Sequence, residues 1–451
     1  MCNLHHLLTK ALCLSLLFIV VTPSFADELD LALPEQTEQT EQQSITTKSL
    51  SLEQALRLVE QDNPGLAEMQ ARAEAMAAVP SQAGTLPDPV ISFGLANMPV
   101  DSFDIGQEPM TQWQLGISQQ LPYPGKLALQ EKTASLLADA AVQDTAEFRQ
   151  HLLRDVKTLW WRLFYLDKAI GIVDLNKTLL RQFVEIAQVK YRVGQGLQQD
   201  VLLAQLELSK LIDRDIQLLS MREQEAARLN ALLNRPTDTH IELPRQEQNE
   251  LALPALKPRH QIFELAKENR PVLEQQRRLV DAAQTRKQLA EKDLLPDFKL
   301  SAGYGLRRGH DIDRSSRSDF LSLQLGVSVP LFAERKQKMA ISQRNSEVKR
   351  QQFALQDEWT SVQSDISTSI TAYQQARKQQ ALLQTGIIPQ ARQTVASMLA
   401  GYQVNKVDFL NLVRAQITLY NYETTLWQVI SEAKTTLAKL TASVGEDDLH
   451  E

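Results

Sequence analysis

The chain has 451 residues, 43% hydrophobic and 23% charged, with 6% aromatic, 16 Gly, 18 Pro and 2 Cys. That composition excludes collagen-like, mucin-like and disulfide-scaffold classes. A net charge of -7 argues against phosphate backbones, so nucleic acid is not an expected partner.

At the N-terminus, Lys10 precedes an apolar run over residues 11–21, followed by Pro23 and by Ser24-Phe25-Ala26. The run is short of the roughly 20 residues a spanning helix needs, and small residues precede a cut after Ala26, which predicts a secretory signal over 1–26. Cys2 and Cys13 leave with it. Residues 27–49 are rich in Glu, Gln and Thr and are expected to be a flexible lead-in.

From residue 50 onward the chain repeats itself. Asn63-Pro64 has a counterpart in Arg270-Pro271, and Leu86-Pro87-Asp88 in Leu295-Pro296-Asp297. Gln114-Leu115-Gly116-Ile117-Ser118 returns as Gln324-Leu325-Gly326-Val327-Ser328, and Tyr191, Val193, Ala204 and Gln205 as Tyr402, Val404, Ala415 and Gln416. Four blocks in one order at an offset of about 210 imply two copies of one unit. The copies are 50–236 and 261–445, joined by a linker at 237–260 and followed by a tail at 446–451.

In each copy a lead-in helix (52–78, 261–293) ends at a proline-bearing turn. The period then changes to two, predicting strands at about 90–98 and 111–121, and at 298–306 and 319–331. Apolar residues such as Phe93, Trp113 and Tyr304 alternate with small or polar ones. A soluble hairpin shows the same alternation, but strands of this length apolar on one side also suit a membrane barrel. After each hairpin the helical period resumes without a stop, over 126–191 and 334–402, with return helices at 200–234 and 408–443. Proline is absent between Pro124 and Pro236, and after Pro330 only Pro389 remains. A helix over 126–191 is about 100 Å long, which requires burial against other helices. Four strands cannot close a barrel in lipid, so copies must share one.

The export signal, the duplicated strand pairs, the long helices, Leu121-Pro122-Tyr123-Pro124-Gly125-Lys126, and Tyr-x-Val with Ala-Gln further on together resemble the TolC family of outer-membrane factors of tripartite efflux pumps. The resemblance covers residues 50–445. It implies a mainly helical fold with a β-barrel part: a homotrimer whose twelve-stranded outer-membrane barrel continues into a twelve-helix periplasmic tunnel. It implies as partners a periplasmic adaptor protein, an inner-membrane proton-driven pump and outer-membrane lipid. The blocks Asn97-Met98-Pro99-Val100-Asp101-Ser102-Phe103, Glu108-Pro109-Met110-Thr111-Gln112 and Val407-Asp408-Phe409-Leu410 are most similar to the heavy-metal branch.

By the same resemblance, the helix-turn-helix tips at 191–200 and 402–411 meet the adaptor and close the tunnel. Adaptor contacts fall on Tyr191, Val193, Gly194, Gly196, Val404, Asn405 and Lys406. Gly194 stands where a positive φ is wanted, and Asn405 is the next-best residue for it. Tyr402 and Asp200 match a hydrogen-bonded pair that holds the closed state, although an Asp at a helix start is also an ordinary cap. Asn411 and Arg414 occupy the family's acidic ring, which is therefore missing, and Asp408 is the geometric substitute. Phe93, Trp113, Tyr304 and Phe320 are expected to face lipid.

The loop after the third strand carries Arg307, Arg308, His310, Asp313, Arg314 and Arg317 and is expected to be a solvated surface loop. Met98 and Met110 are read as hairpin-end packing. No phosphate-cradling Gly loop, His-Glu-x-x-His or Gly-x-Ser-x-Gly occurs. Neither catalysis nor a cofactor nor a resident metal site is expected. The competing reading is a periplasmic coiled-coil adaptor or scaffold, which would carry a single helical hairpin between compact β domains.

Overall fold

The computed structural model describes residues 49–245, 251–311 and 313–450. The expected signal and all but the last residue of the lead-in lie outside the described residues.

The lead-in of the first repeat begins at Ser51, which caps α1 (Leu52–Asp62) through a reciprocal pair of bonds with Gln54, 3.2 and 3.1 Å. The single helix expected over 52–78 is in fact broken. Asn63 precedes a proline and is held extended (ψ 117°), so α2 (Pro64–Ala77) starts afresh, followed by the short α3 (Val79–Gly84). β1 (Val90–Ala96) and β2 (Gln112–Leu121) follow, then α4 (Lys126–Arg192) and α5 (Gln198–Leu232). With 67 residues, α4 is about 100 Å long.

The second repeat follows the same order. Its lead-in is likewise two helices, α6 (Arg259–Asn269) and α7 (Pro271–Lys292), broken at Arg270 (ψ 115°). β3 (Asp297–Arg307) and β4 (Phe320–Ser328) form the hairpin. β4 stops short of the expected residue 331, because Pro330 has no N–H for a ladder and the chain turns there. The helix expected over 334–402 is interrupted: α8 (Gln337–Leu382) meets one π-helical turn (Leu383–Ile387) before α9 (Ile388–Gln403), just ahead of Pro389. α10 (Phe409–Val444) returns.

The long helices pack in a row in which α5 lies on α4, α4 on α10, and α10 on α8 and α9. Their buried positions repeat. Leu152, Val156, Trp160 and Leu163 of α4 correspond to Val362, Ile366, Ile370 and Tyr373 of α8, all of them buried. The first core is aromatic: Trp160, Trp161, Phe164 and Trp427 meet edge to face or stacked, and the Trp160 indole donates to Leu50 O at 3.0 Å. The second is aliphatic, built on Ile262, Leu273, Ile366 and Leu440. Where the linker begins, Glu242 O accepts from Leu50 N, and near its end Lys257 N donates to Leu449 O. No described helix is long and apolar enough to cross a membrane, which says nothing of the strands.

Candidate functional site

The four strands form one antiparallel sheet in the order β1-β2-β3-β4, so the two hairpins join through β2 and β3. Directly opposed residues share a face, and the register sorts the side chains. Ile91, Phe93, Trp113, Leu115, Tyr304 and Leu321 fall on one face; Ser92, Gln114, Gly116, Ser301, Gly303 and Ser322 fall on the other. The apolar face is uncovered: Ile91, Phe93, Leu321 and Leu323 are each more than 70% exposed. Phe93 stacks on Trp113 at 5.3 Å. Phe320 corrects the expectation that it joins them, since it opposes Gly305 on the polar face. There the Arg307 guanidinium lies 3.8 Å from its ring centroid. The parity of the strand decides its side, and aromatic character does not.

The arginine-bearing loop also differs from a purely solvated one. Arg317 is almost buried and donates to Gly106 O (3.1 Å) and Glu108 O (3.0 Å), while Arg307 donates to Pro109 O (3.1 Å). Both side chains tie the second hairpin's loop to the first's. His310 forms an isolated bridge with Ser316, and Asp313 accepts from Ser315. Among the described residues no three His, Cys, Asp or Glu side chains converge as metal ligands would. Met110 is exposed. At the other end of the sheet, the buried Lys126 pairs with Asp293 (3.0 Å) and Asp297 (2.9 Å), fixing the start of α4 to the base of β3.

The two bonds that close each tip are the same. Gly194 N donates to Tyr191 O and Gln195 N to Lys190 O; Asn405 N donates to Tyr402 O and Lys406 N to Gly401 O. Gly194 (φ 72°) and Asn405 (φ 60°) both take the left-handed conformation this turn needs. Tyr191, Val193, Gly194, Val404, Asn405 and Lys406 are exposed, and Gly196 is half-buried. Beneath them Phe183, Ala187, Ala204, Tyr402, Phe409 and Leu412 form one core shared by both hairpins.

Of the expected gate residues, the structure brings Asp200, Tyr402 and Asp408 together. The Tyr402 hydroxyl, however, is buried with no hydrogen-bond partner among the described residues, so the Tyr402–Asp200 hydrogen bond is absent within the chain. Burial, with the Asp200 charge nearby, pushes the Tyr402 phenol up to about 12. The Asp200 carboxyl lies above its ordinary range, chiefly through burial and further through Asp408; Lys190 and a bond from the Leu197 backbone oppose the shift. Asp408 caps α10 by position without a side-chain bond. Asn411 and Arg414 are exposed on the first turns of α10, on the side away from the buried Leu412 and Val413.

Sequence reading passed over Lys190. Its ammonium donates to Tyr402 O (2.6 Å) and to Asn405 Oδ1 (2.5 Å), and lies 4.4 Å from the Tyr402 ring centroid. It thus meets the negative end of α9 and an aromatic face at once.

The fold is that of known outer-membrane channels. The chain matches the outer-membrane channel OprN at 18% identity, with 87% of this chain and 89% of that one covered and a TM-score of 0.74. It matches the outer membrane protein VceC of Vibrio cholerae at 16% identity, covering 88% and 96%, TM-score 0.72. It matches the open state of the MtrE outer membrane channel of Neisseria gonorrhoeae at 15% identity, covering 88% and 89%, TM-score 0.73. No curated protein matches the chain significantly. The sequence itself points the same way over its second repeat, where residues 262–446 match the family model described as Outer membrane efflux protein.

Proposed function

We propose that this chain is the outer-membrane duct of a tripartite efflux system: a passive, gated channel in the outer membrane, extending across the periplasm. The observation that carries this reading is the sheet. Its apolar face is bare, and β1 and β4 each leave one edge unpaired. In lipid such edges must be closed, and one copy cannot close them. Three copies of four strands make a twelve-stranded barrel, wide enough for a lumen lined by Ser, Gly and Gln. The row of long helices also ends in exposed apolar side chains, Leu202, Leu206 and Ile216 on α5 and Phe353 and Leu382 on α8. A neighbouring copy on each side would cover them.

The functional division follows. Phe93, Trp113 and Tyr304 face lipid, the tips contact a periplasmic adaptor, and Asp200, Tyr402 and Asp408 lie at the periplasmic aperture. Energy comes from an inner-membrane pump, since the duct has no chemistry of its own. The cargo is heavy-metal cations, supported by the hairpin and tip blocks that resemble that branch; organic compounds are the alternative.

Membrane fractionation with unheated gel electrophoresis tests the duct: heat-sensitive trimers in the outer-membrane fraction are expected, and a soluble periplasmic monomer would sink the reading. For cargo, a deletion strain should lose tolerance to copper, silver, zinc or cobalt. Sensitivity to dyes and antibiotics alone would reassign the cargo to organic compounds.

A further inference from the structure

The two tips share the two bonds that close the turn, yet they differ in one exchange of side chains. In the first, Lys190 packs over Gly196: a Cβ added to Gly196 would stand 2.9 Å from Lys190 Cβ. In the second, the corresponding residues are Gly401 and Val407, and a Cβ on Gly401 would stand 2.5 Å from Val407 Cγ2. The bulk has moved from one side of the turn to the other. Only the first tip therefore has an arm at this position, and that arm reaches out of its own turn to Tyr402 O and Asn405 Oδ1 of the second.

We propose that Lys190 is a one-way clamp, positioning the second tip on the first within each copy, and that the aperture opens at the seams between copies, where Gly401 leaves no such arm. The direction follows from the row of helices. The α4–α10 contact that Lys190 spans at its end recurs, by the repeat, between α8–α9 of one copy and α5 of the next. At that recurrence the residue in the place of Lys190 is Gly401. The tips of an assembly then move as clamped pairs, one per copy. The clamp fixes what the gate depends on: it holds the Tyr402 ring from one side and the left-handed Asn405 by its side chain, in the turn that leads into α10 at Phe409. This deepens the duct reading and, for the location of opening, rests on it.

Lys190→Met keeps the stem over Gly196 and removes the ammonium. In the full-length protein, amide hydrogen exchange at Asn405 and Lys406 should quicken about tenfold, while amides around Trp160 in α4 stay unchanged. Lys190→Arg should restore part of the protection. Unaltered exchange at the second tip in Lys190→Met overturns the clamp. A Lys190→Cys, Asn405→Cys pair should be bridged within one chain by a bis-maleimide of about the length of the lysine stem, leaving the gel mobility of the unfolded monomer near that of a single chain. It should also leave single-channel opening in planar bilayers intact. A pair that locks the channel shut overturns opening at the seams. Native protein with no conductance at all would instead fault the duct reading, and the exchange result would still judge the clamp.

Discussion

The two repeats reach one geometry by different chemistry. At the first lead-in break, Asn63 does everything itself: its amide oxygen caps α2 by accepting from Leu66 N at 3.0 Å, and its nitrogen donates to Leu232 O at 2.8 Å. At the second break, Arg270 cannot cap, and Glu147 reaches over from α4. The Glu147 carboxylate accepts from Val272 N (3.3 Å) and pairs with Arg270 (2.5 Å), both side chains being about nine-tenths buried. Burial holds the Arg270 guanidinium below its ordinary pKa, against the pull of Glu147. One repeat is thus self-sufficient at the joint and the other depends on its sibling. The tips show the same pattern with the donor repeat unchanged, since Lys190 of the first repeat again serves the second. In both places the first repeat supplies a side chain that the second lacks.

The largest test of that contrast lies in the cores. Trp160→Ala should cost about 3 to 5 kcal/mol and strand Leu50 O, whereas Ile370→Val at the matching position should cost only about 1 kcal/mol. Thermal unfolding followed by circular dichroism compares them, and equal losses would deny that the aromatic core carries more. Next comes the joint. Glu147→Ala leaves Arg270 buried and unpaired and uncaps α7, costing about 3 kcal/mol, while Asn63→Ala removes one cap for about 1 kcal/mol. The reverse ranking would mean that the borrowed cap is idle.

The smallest effect is one of pH. The Asp200 carboxyl is raised above its ordinary value of 3.8 by burial first and by Asp408, with Lys190 and the Leu197 N–H opposing and the Tyr402 phenol beside it. A raised folded pKa means that the folded tip binds the proton more tightly. Its contribution is full below the unfolded value and is lost as pH rises through the raised one. The protection factor at the second tip, in which the intrinsic pH dependence of amide exchange cancels, should therefore rise on acidification through the carboxylate range. In Lys190→Met the midpoint should move upward, because the charge that lowers it is gone; a flat profile in both proteins would remove Asp200 from the tip's energetics.

Much of this was legible in the residues. The alternation around Phe93, Trp113 and Tyr304 located the strands, and Gly194 with Asn405 located both turns because few residues adopt a positive φ. Phe320 is an aromatic residue at a polar-face position, and strand parity decides its side. The breaks at Asn63 and Arg270 are signalled by the following prolines, yet helix-forming sequence continues on both sides of each. Lys190 gave no sign at all: two of its acceptors are backbone carbonyls, and they lie more than two hundred residues away. Arg307 and Arg317 hid in the same way behind carbonyls of the other hairpin. Side chains that bond to distant backbone leave no motif.

The π-helical turn at Leu383–Ile387 also dates a change in the length of the chain. Along α4 and α8 ahead of it, the repeats correspond at an offset of 210, as Val156 does to Ile366. Beyond it they correspond at 211, as Leu229 does to Leu440 and Leu233 to Val444, all four of them buried. One residue has entered the second rod where the first has none. A helix pinned by packing above and below can absorb a single extra residue only by widening one turn. The turn is then the record of an insertion made after the unit was duplicated. Removing one residue between Leu383 and Ile387 should let α8 and α9 fuse into a single α-helix, with the tip below left in register.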